Sequence, residues 1–173
     1  MSLDRFRNRK TKGDDGLPYD TEILIKSFSR KAGAEEARVI LATMGNDSHV
    51  LINIMKNEGS DWIKSRGITF GSEYIEPILD GIDQALTQYR VLVGTNEDAL
   101  PSFPIVCGNV DDLTIKLGRF NGYYNINLNK KCDDSWANLR PGEVEGFIEA
   151  LVEVSDRING ASGNRGDQGE IPF

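Results

Sequence analysis

The amino-acid sequence predicts an α+β fold in which two ββββα units pack together as a pseudo-dimer. Short runs of alternating apolar and polar residues recur along the 173 residues, which is the period of half-buried strands. Each set of four such runs precedes one stretch with helical spacing of apolar residues, and this order of elements occurs twice. Since one four-stranded sheet with one helix buries little apolar area alone, we expect the two units to share a core.

The first unit is predicted to span residues 21–93. Its helix begins at Glu73 after Ser72, a plausible N-cap, and Pro77 is tolerated because it lies within the first turns. The turn at 45–47 separates the second strand from the third. The strands are predicted at 22–29, 37–44 and 49–56, and the segment 61–66 leads to a short strand at 67–70.

The second unit is predicted to span residues 103–158 and contains the clearest hairpin of the chain. The pair Asn121-Gly122 joins two alternating runs, and this dipeptide is among the strongest short hairpin signals. Alternation places Tyr124 in the core and Lys116 on the opposite face. The strands are predicted at 103–107, 113–119, 123–130 and 135–139, and a helix follows residues 140–142.

Three further segments lack hydrophobic periodicity. Residues 1–20 form a mostly basic arm that we expect to be flexible, and residues 94–102 form a linker with Pro101. Residues 159–173 are rich in Gly, Asn and Ser, a composition that cannot support a core, so this tail is predicted to be disordered in isolation.

The composition argues against several classes of protein. No apolar run approaches the roughly 20 residues of a membrane span, and the basic N-terminus has no apolar stretch behind it, so neither membrane insertion nor export is expected. Cys107, Cys132 and the single His49 provide neither a disulfide framework nor a His-based metal site. A cytoplasmic protein with reduced thiols, without cofactor or metal, is predicted. The absence of a P-loop or nucleophile motif argues against an enzyme.

The formal charge of −7 argues, as a whole-chain average, against binding to nucleic acid. The distribution weakens this objection because acidic residues concentrate on the predicted helices and loops, whereas bases concentrate on the arm and near the strands. Screening over about 8 Å at physiological salt makes local charge decide local binding. An acidic chain can therefore carry a basic groove.

The segments HVLINIMK, SDWIKSRGITFGSEYIEPILDGID, YYNINLNKK and SWANLRPGEVEGFIEAL resemble the single-stranded-DNA-binding domain of the transcriptional coactivator positive cofactor four. That domain shares its architecture with the Whirly proteins. The resemblance implies a Whirly-like fold whose helices pair and whose sheets present the DNA-binding surface. The first hairpin turn, at 45–49, departs from the family because it lacks a basic-aromatic cluster. The resemblance implies sheet and turn contacts at Lys116, Arg119, Phe120 and Tyr123, and loop contacts at Trp62, Lys64, Arg66 and Trp136.

The C-terminal tip, Glu170-Ile171-Pro172-Phe173, is similar to the end of bacterial single-stranded-DNA-binding proteins. In those proteins the terminal Phe enters an apolar pocket on replication and repair enzymes. The similarity implies that these four residues bind partner enzymes. The tail is less acidic than in those proteins, which implies weaker partner binding or a partner adapted to it.

We therefore expect sequence-independent binding of single-stranded DNA in replication, recombination or repair, by a protein of a phage or other mobile element acting in the host cytoplasm. Cations that follow phosphates and rings that stack on bases, at about 1–3 kcal/mol per base, are the chemistry required. The alternatives are a protein-interaction module that regulates transcription through RNA polymerase, and an OB-fold binder of single-stranded DNA or RNA. Homo-oligomerisation is left open. The candidate nucleic-acid contacts are Lys26, Arg38, Lys56, Trp62, Lys64, Arg66, Lys116, Arg119, Phe120, Tyr123, Lys130, Lys131 and Trp136.

Overall fold

The computed structural model describes residues 19–95, 104–120 and 123–166, with side chains for 19–92, 104–119 and 124–160. It contains two antiparallel four-stranded sheets, each followed by a helix, which confirms the α+β class and the two ββββα units. Strand order within each sheet follows the chain, so every strand pairs with its sequence neighbour. The first unit comprises β1 (Thr21–Arg30), β2 (Glu35–Met44), β3 (Asp47–Glu58), β4 (Asp61–Gly71) and α1 (Ile75–Thr95). The second comprises β5 (Ile105–Val110), β6 (Leu113–Phe120), β7 (Tyr123–Lys130), β8 (Ser135–Leu139) and α2 (Val144–Gly166).

Several element boundaries differ from the sequence-based prediction. The helix α1 begins at Ile75, after a 3-10 turn over Ser72–Tyr74, rather than at Glu73, and β5 is Ile105–Val110 rather than 103–107. The two largest differences concern β4 and α2. The segment 61–66, expected to lead as a loop into a short strand, is the first half of β4, because it pairs with β3 from Asp61 opposite Glu58 onward. A register shift at Ile54 and Met55 accommodates the long pairing. The helix α2 continues to Gly166, beyond the predicted end at residue 158, because backbone hydrogen bonds can extend a helix without further apolar burial.

A shared hydrophobic core joins the two units. Ile52 of β3 and Ile78 of α1 are fully buried in the same cluster as Ile115 of β6 and Phe147 of α2. Tyr124 packs against this cluster and stacks on Tyr89 of α1 with ring centroids 3.6 Å apart, so its predicted place in the core is confirmed. The shared core explains how two small sheets obtain enough buried apolar area.

The helices are exchanged between the units. α1 packs on β5 and β6, and a Cβ atom placed on Gly81 would lie 2.9 Å from Ile115. α2 packs on β1 and β2, where Phe28 stacks on Phe147 at a centroid distance of 4.8 Å and a Cβ on Gly146 would lie 2.5 Å from the Phe28 ring. Each unit therefore depends on the other for the packing of its sheet.

Each sheet has one face covered by a helix, and its other face points away from the shared core. In the first sheet that face carries a small apolar cluster of Ile40, Ala42, Leu51 and Met55, to which Tyr19 contributes. Among the residues that the structure describes, no helix is long and apolar enough to span a membrane.

Candidate nucleic-acid interface

The face of the second sheet that points away from the core is lined by asparagines. On β7, Asn125, Asn127 and Asn129 alternate with Ile126 and Leu128, which are buried in the core. Period-two alternation therefore separates an apolar side from an amide side within one strand. The strand register places Lys116 of β6 and Asn138 of β8 on either side of Asn127, and Trp136 of β8 opposite Asn129. We refer to Asn125, Asn127, Asn129 and Asn138 as the asparagine face.

Trp136, at the edge of the asparagine face, is in contact with the first unit. The guanidinium carbon of Arg66 on β4 lies 4.7 Å from the centroid of the indole ring. Such cation–π contacts contribute about 0.5–2 kcal/mol, depending on their desolvation. Burial lowers the pKa of Arg66, yet an arginine starts so far above neutrality that it remains charged. The surface is thus built from both units.

Arg30, at the end of β1, anchors the two units behind this surface. Its Nε donates to Glu143 Oε2 at 2.8 Å and its Nη2 to Glu143 Oε1 at 2.6 Å, which is a bidentate pair. Nη2 also donates to the backbone oxygen of Asn138 at 2.8 Å. Only 3% of Arg30 is exposed, so this ion pair is fully inside the protein. It holds β8 and the turn before α2 against the first sheet.

Two of the four asparagines are locked by this network. Asn138 Oδ1 accepts from Arg30 Nη1 at 3.3 Å and from Arg66 Nη2 at 3.2 Å. Asn138 Nδ2 donates to Asn125 Oδ1 at 3.2 Å. Both asparagines are buried, so their amides act as structural parts of the face. Asn127 and Asn129 are half-exposed beside them.

A cavity of about 480 Å³ opens on the asparagine face. Lys31 reaches it from the turn between β1 and β2, where Lys31 (φ 51°) and Ala32 (φ 53°) both adopt left-handed backbone conformations. Such conformations cost about 1–3 kcal/mol each in residues other than glycine and persist where the surroundings enforce them. The cavity is lined by Lys31, Arg66, Asn125, Asn127, Asn129, Trp136, Asn138 and Arg140.

The charge around the cavity is positive. Four cations lie within 4.0 Å of the buried Glu35 carboxylate: Arg30 at 3.7 Å, Lys31 at 3.5 Å, and Arg66 and Arg140 at 4.0 Å. Glu143 supplies the second carboxylate, so cations outnumber anions in this cluster. Lys31 and Arg140 remain more than one third exposed, which leaves them able to contact an anion from outside. The cluster suits a phosphate group at the rim of the cavity.

The structure brings three of the predicted nucleic-acid residues together here, namely Arg66, Lys116 and Trp136. Lys130 lies on the core side of β7, where its ammonium group donates to the backbone oxygen of Thr69 at 3.1 Å. Lys26 lies beside α2, in an ion pair with Glu149 at 3.2 Å. These two lysines connect elements of the protein and lie away from the asparagine face.

The other candidates on the first unit form a separate group. Arg38 and Trp62 lie on the outer face of the first sheet, where the guanidinium is 5.4 Å from the indole centroid and 2.6 Å from Glu36. Burial lowers the pKa of Lys64, while the nearby carboxylates of Asp133 and Glu22 oppose this change. The exposed candidates Lys56, Arg119 and Lys131 do not line the cavity of the asparagine face.

Some predicted sites lie outside the described residues. The side chains of Phe120 and Tyr123 belong to this group, although their backbones pair at the end of the β6–β7 hairpin. The partner-binding tip, Glu170, Ile171, Pro172 and Phe173, is also outside. Within the described parts of the chain, no group of three or more His, Cys, Asp or Glu side chains is arranged to hold a metal ion.

The predicted nucleic-acid contacts included neither Lys31 nor Arg140 nor any residue of the asparagine face. Asn125 and Asn127 lie on the outward side of the strand predicted at 123–130. For Asn129 a signal existed, because it continues the alternation of Asn125 and Asn127 along β7. The residues outside β7 lie in a turn, on β8 and at the start of a helix, and no local pattern links them.

A scan against protein-family models finds no matching family, and a search of curated proteins finds no significant match. The chemistry of the asparagine face is therefore the basis for a functional hypothesis.

Proposed function

We propose that this chain is a non-enzymatic, Whirly-like protein that binds single-stranded DNA largely independently of sequence, in replication, recombination or repair. The supporting observation is the combination, on one sheet surface, of the Trp136 indole, the asparagine amides and surplus cations. An indole stacks on any base, cations follow any phosphate, and amides can donate to or accept from base edges. A duplex hides its base faces and Watson–Crick edges, so this chemistry favours the single strand.

The strand would run over the asparagine face, between Lys116 and the cluster that contains Lys31 and Arg140. Lys116 of β6 lies on one side of β7 and Arg66 reaches the face from the other. Cations on both sides of a row of amides and one indole suit a polyanion whose bases point toward the sheet. The exposed acidic residues of α2, such as Glu153, lie on the helix layer and do not line the cavity on this face.

Partner recruitment through the C-terminal tip is a second part of the proposal and is supported by the sequence alone. The residues Ile171-Pro172-Phe173 would enter an apolar pocket on a replication or repair enzyme, as in the bacterial proteins that they resemble. A phage or mobile-element protein of this kind would coat exposed strands and bring host or phage enzymes to them.

The test is a direct titration of the full chain with fluorescently labelled oligo-dT and with a duplex of the same length. We expect salt-dependent binding to oligo-dT, quenching of intrinsic Trp fluorescence, and little affinity for the duplex. Equal affinity for both forms at moderate salt would contradict the proposal. Unchanged Trp fluorescence together with no band shift would support a protein-interaction module instead.

Removal of residues 165–173 separates the two parts of the proposal. The truncated chain should retain its affinity for oligo-dT and lose capture of replication or repair enzymes in a pull-down assay. Loss of DNA affinity on truncation would show that the tail assignment is wrong.

A further inference from the structure

The two outer asparagines of the cavity carry carbonyl oxygens without hydrogen-bond donors. Asn127 Oδ1 and Asn129 Oδ1 are both buried, and within the described residues neither accepts a hydrogen bond. A buried polar atom left without a partner costs about 1–3 kcal/mol. Both residues line the cavity from neighbouring outward positions of one strand, so the cavity wall contains two amides whose oxygens have no donor; we refer to these two oxygens as the acceptor pair.

The other two asparagines of the face, in contrast, have hydrogen-bond partners. Asn125 and Asn138 line the same cavity, but the hydrogen bond between their amides and the two arginine donors engage them. Their fixed positions hold β7 and β8 in register beside Asn127 and Asn129. The acceptor pair is thus supported by a rigid framework, which is the usual construction of a recognition site.

The other residues that line the cavity indicate which kind of ligand would donate hydrogen bonds to Asn127 and Asn129. A volume of about 480 Å³ lies within the range of small-molecule sites and accommodates a nucleobase with its sugar. Trp136 offers a flat surface for a planar ring, and Lys31 and Arg140 offer charge for a phosphate. A planar group that carries N–H donors and is attached to a phosphate fulfils all three conditions.

Nucleobases differ in what they present to an acceptor. Cytosine and adenine each carry an exocyclic amine with two N–H groups, whereas thymine presents carbonyl oxygens at the corresponding position. Thymine offers a single N–H, at N3, between two carbonyl oxygens, so it could supply a donor to at most one of the oxygens of Asn127 and Asn129 and would place its own oxygen beside the other. Sites built around hydrogen bonds discriminate strongly against groups that cannot form them.

We infer that the cavity is a base-reading subsite that takes one nucleobase with an exocyclic amine from the bound strand, through Asn127 and Asn129. The inference rests on the proposed function and adds to it a preference for cytosine over thymine. Binding remains tolerant of sequence elsewhere on the face, since the other contacts go to phosphates and ring faces.

The test compares oligo-dC, oligo-dT and oligo-dU of equal length in competition anisotropy with the full chain, at slightly alkaline pH so that cytosine stays unprotonated. Oligo-dU separates the effect of the thymine methyl group from that of the oxygen. We expect oligo-dC to bind roughly tenfold more tightly than the other two, within the range of one specific base contact. The double variant N127L/N129L should abolish the difference in affinity between oligo-dC and oligo-dT.

The matched control is N109A, which removes an amide from the same sheet outside the cavity. It should keep the preference for oligo-dC. Titration of the unmodified chain with dCMP and dTMP, followed by Trp fluorescence, tests the same preference without any variant that must fold. Equal or stronger binding of oligo-dT by the unmodified chain overturns the inference and leaves the proposed function intact. Failure of all three strands to bind overturns the proposed function itself.

Discussion

The guanidinium of Arg66, on the last strand of the first sheet, stacks on the indole of Trp136, on the last strand of the second, at 4.7 Å from the ring centroid. The same guanidinium donates to Asn138 Oδ1 at 3.2 Å. One side chain of the first unit therefore positions both an aromatic ring and an amide of the second. The nucleic-acid surface that we propose exists only when the two units are packed together.

The Arg66–Trp136 contact should be measurable as a coupling in DNA binding. W136L should weaken oligo-dT binding by about 1–3 kcal/mol, because one stacking platform is lost. R66M should also weaken binding, and the double variant should lose less than the sum of the two, since the residues share one contact. Anisotropy titrations of the four proteins measure this. The comparison pair is Trp62 with Arg38, on the outer face of the other sheet. A larger effect of W62L than of W136L would move the proposed surface to the first unit.

Lys116 should contribute to the salt dependence of binding. It lies opposite Asn127 on the outward face of β6, whereas Lys26 lies beside α2 in an ion pair with Glu149. K116M should reduce the magnitude of the slope of log K against log salt by about 0.7, the value for one phosphate contact with a single strand. K26M should leave the slope unchanged. Equal slopes for K116M and the unmodified protein would exclude a phosphate contact at Lys116.

Arg30 should be important for stability. R30M leaves the buried carboxylate of Glu143 without its bidentate partner and removes one of the four cations around Glu35, and breaking one side of a buried ion pair costs about 3–5 kcal/mol. The double variant R30M/E143Q should recover part of this loss, because one of the two carboxylates is then neutral. Urea unfolding followed by circular dichroism measures the free energy of unfolding.

The exposed pair of Arg157 and Glu153, one helical turn apart at 2.8 Å, is the control for Arg30. R157M should change the free energy of unfolding by less than about 1 kcal/mol. If R30M were as mild as R157M, the buried network would not be what joins the units.

The exchanged helices predict a contrast between glycines. G81A should be destabilising by about 1–3 kcal/mol, because its Cβ would lie 2.9 Å from Ile115 of the other unit. The double variant G81A/I115V should be less destabilised than G81A, because the smaller side chain at position 115 leaves more room for the added Cβ. Gly160, also in a helix, has nothing within 4 Å of its Cβ position, so G160A should stabilise by about 0.5–1 kcal/mol through helix propensity. Thermal unfolding of the variants provides the measurement, and stabilisation by G81A would contradict this packing.

Tyr124 should give the protein an alkaline limit of stability. Burial raises the pKa of this phenol above its ordinary value of 10.0, as does its neighbour Tyr89. Above a pH of about 10 the unfolded chain releases this proton while the folded chain retains it, so stability falls as pH rises. Y124F keeps the ring stacked on Tyr89 and removes this contribution. The melting temperature of Y124F should therefore decline less steeply above that pH, and parallel curves would contradict the expectation.

Local alternation determined a large part of this protein. It located the hairpin of β6 and β7, directed Tyr124 into the core, and placed Lys116 on the outward face, because neighbouring side chains of a strand point to opposite sides. The repeated order of four strands and one helix likewise indicated two units, which the structure contains. Local alternation did not reveal that residues 61–66 belong to a long β4. Pairing with β3, rather than the local pattern of hydrophobic residues, makes this segment a strand.

Tertiary structure alone decided which side chains meet. Arg66 reaches Trp136, Arg30 pairs with Glu143, and Lys31 approaches the same cavity as Arg140, although each pair is far apart in sequence. Periodicity states which face of an element a residue occupies but contains no information on which element packs across from it. The exchange of helices between the sheets determines these contacts, because each helix covers the apolar face of the other unit's sheet. The asparagines of β7 then lie on the face that points away from the core.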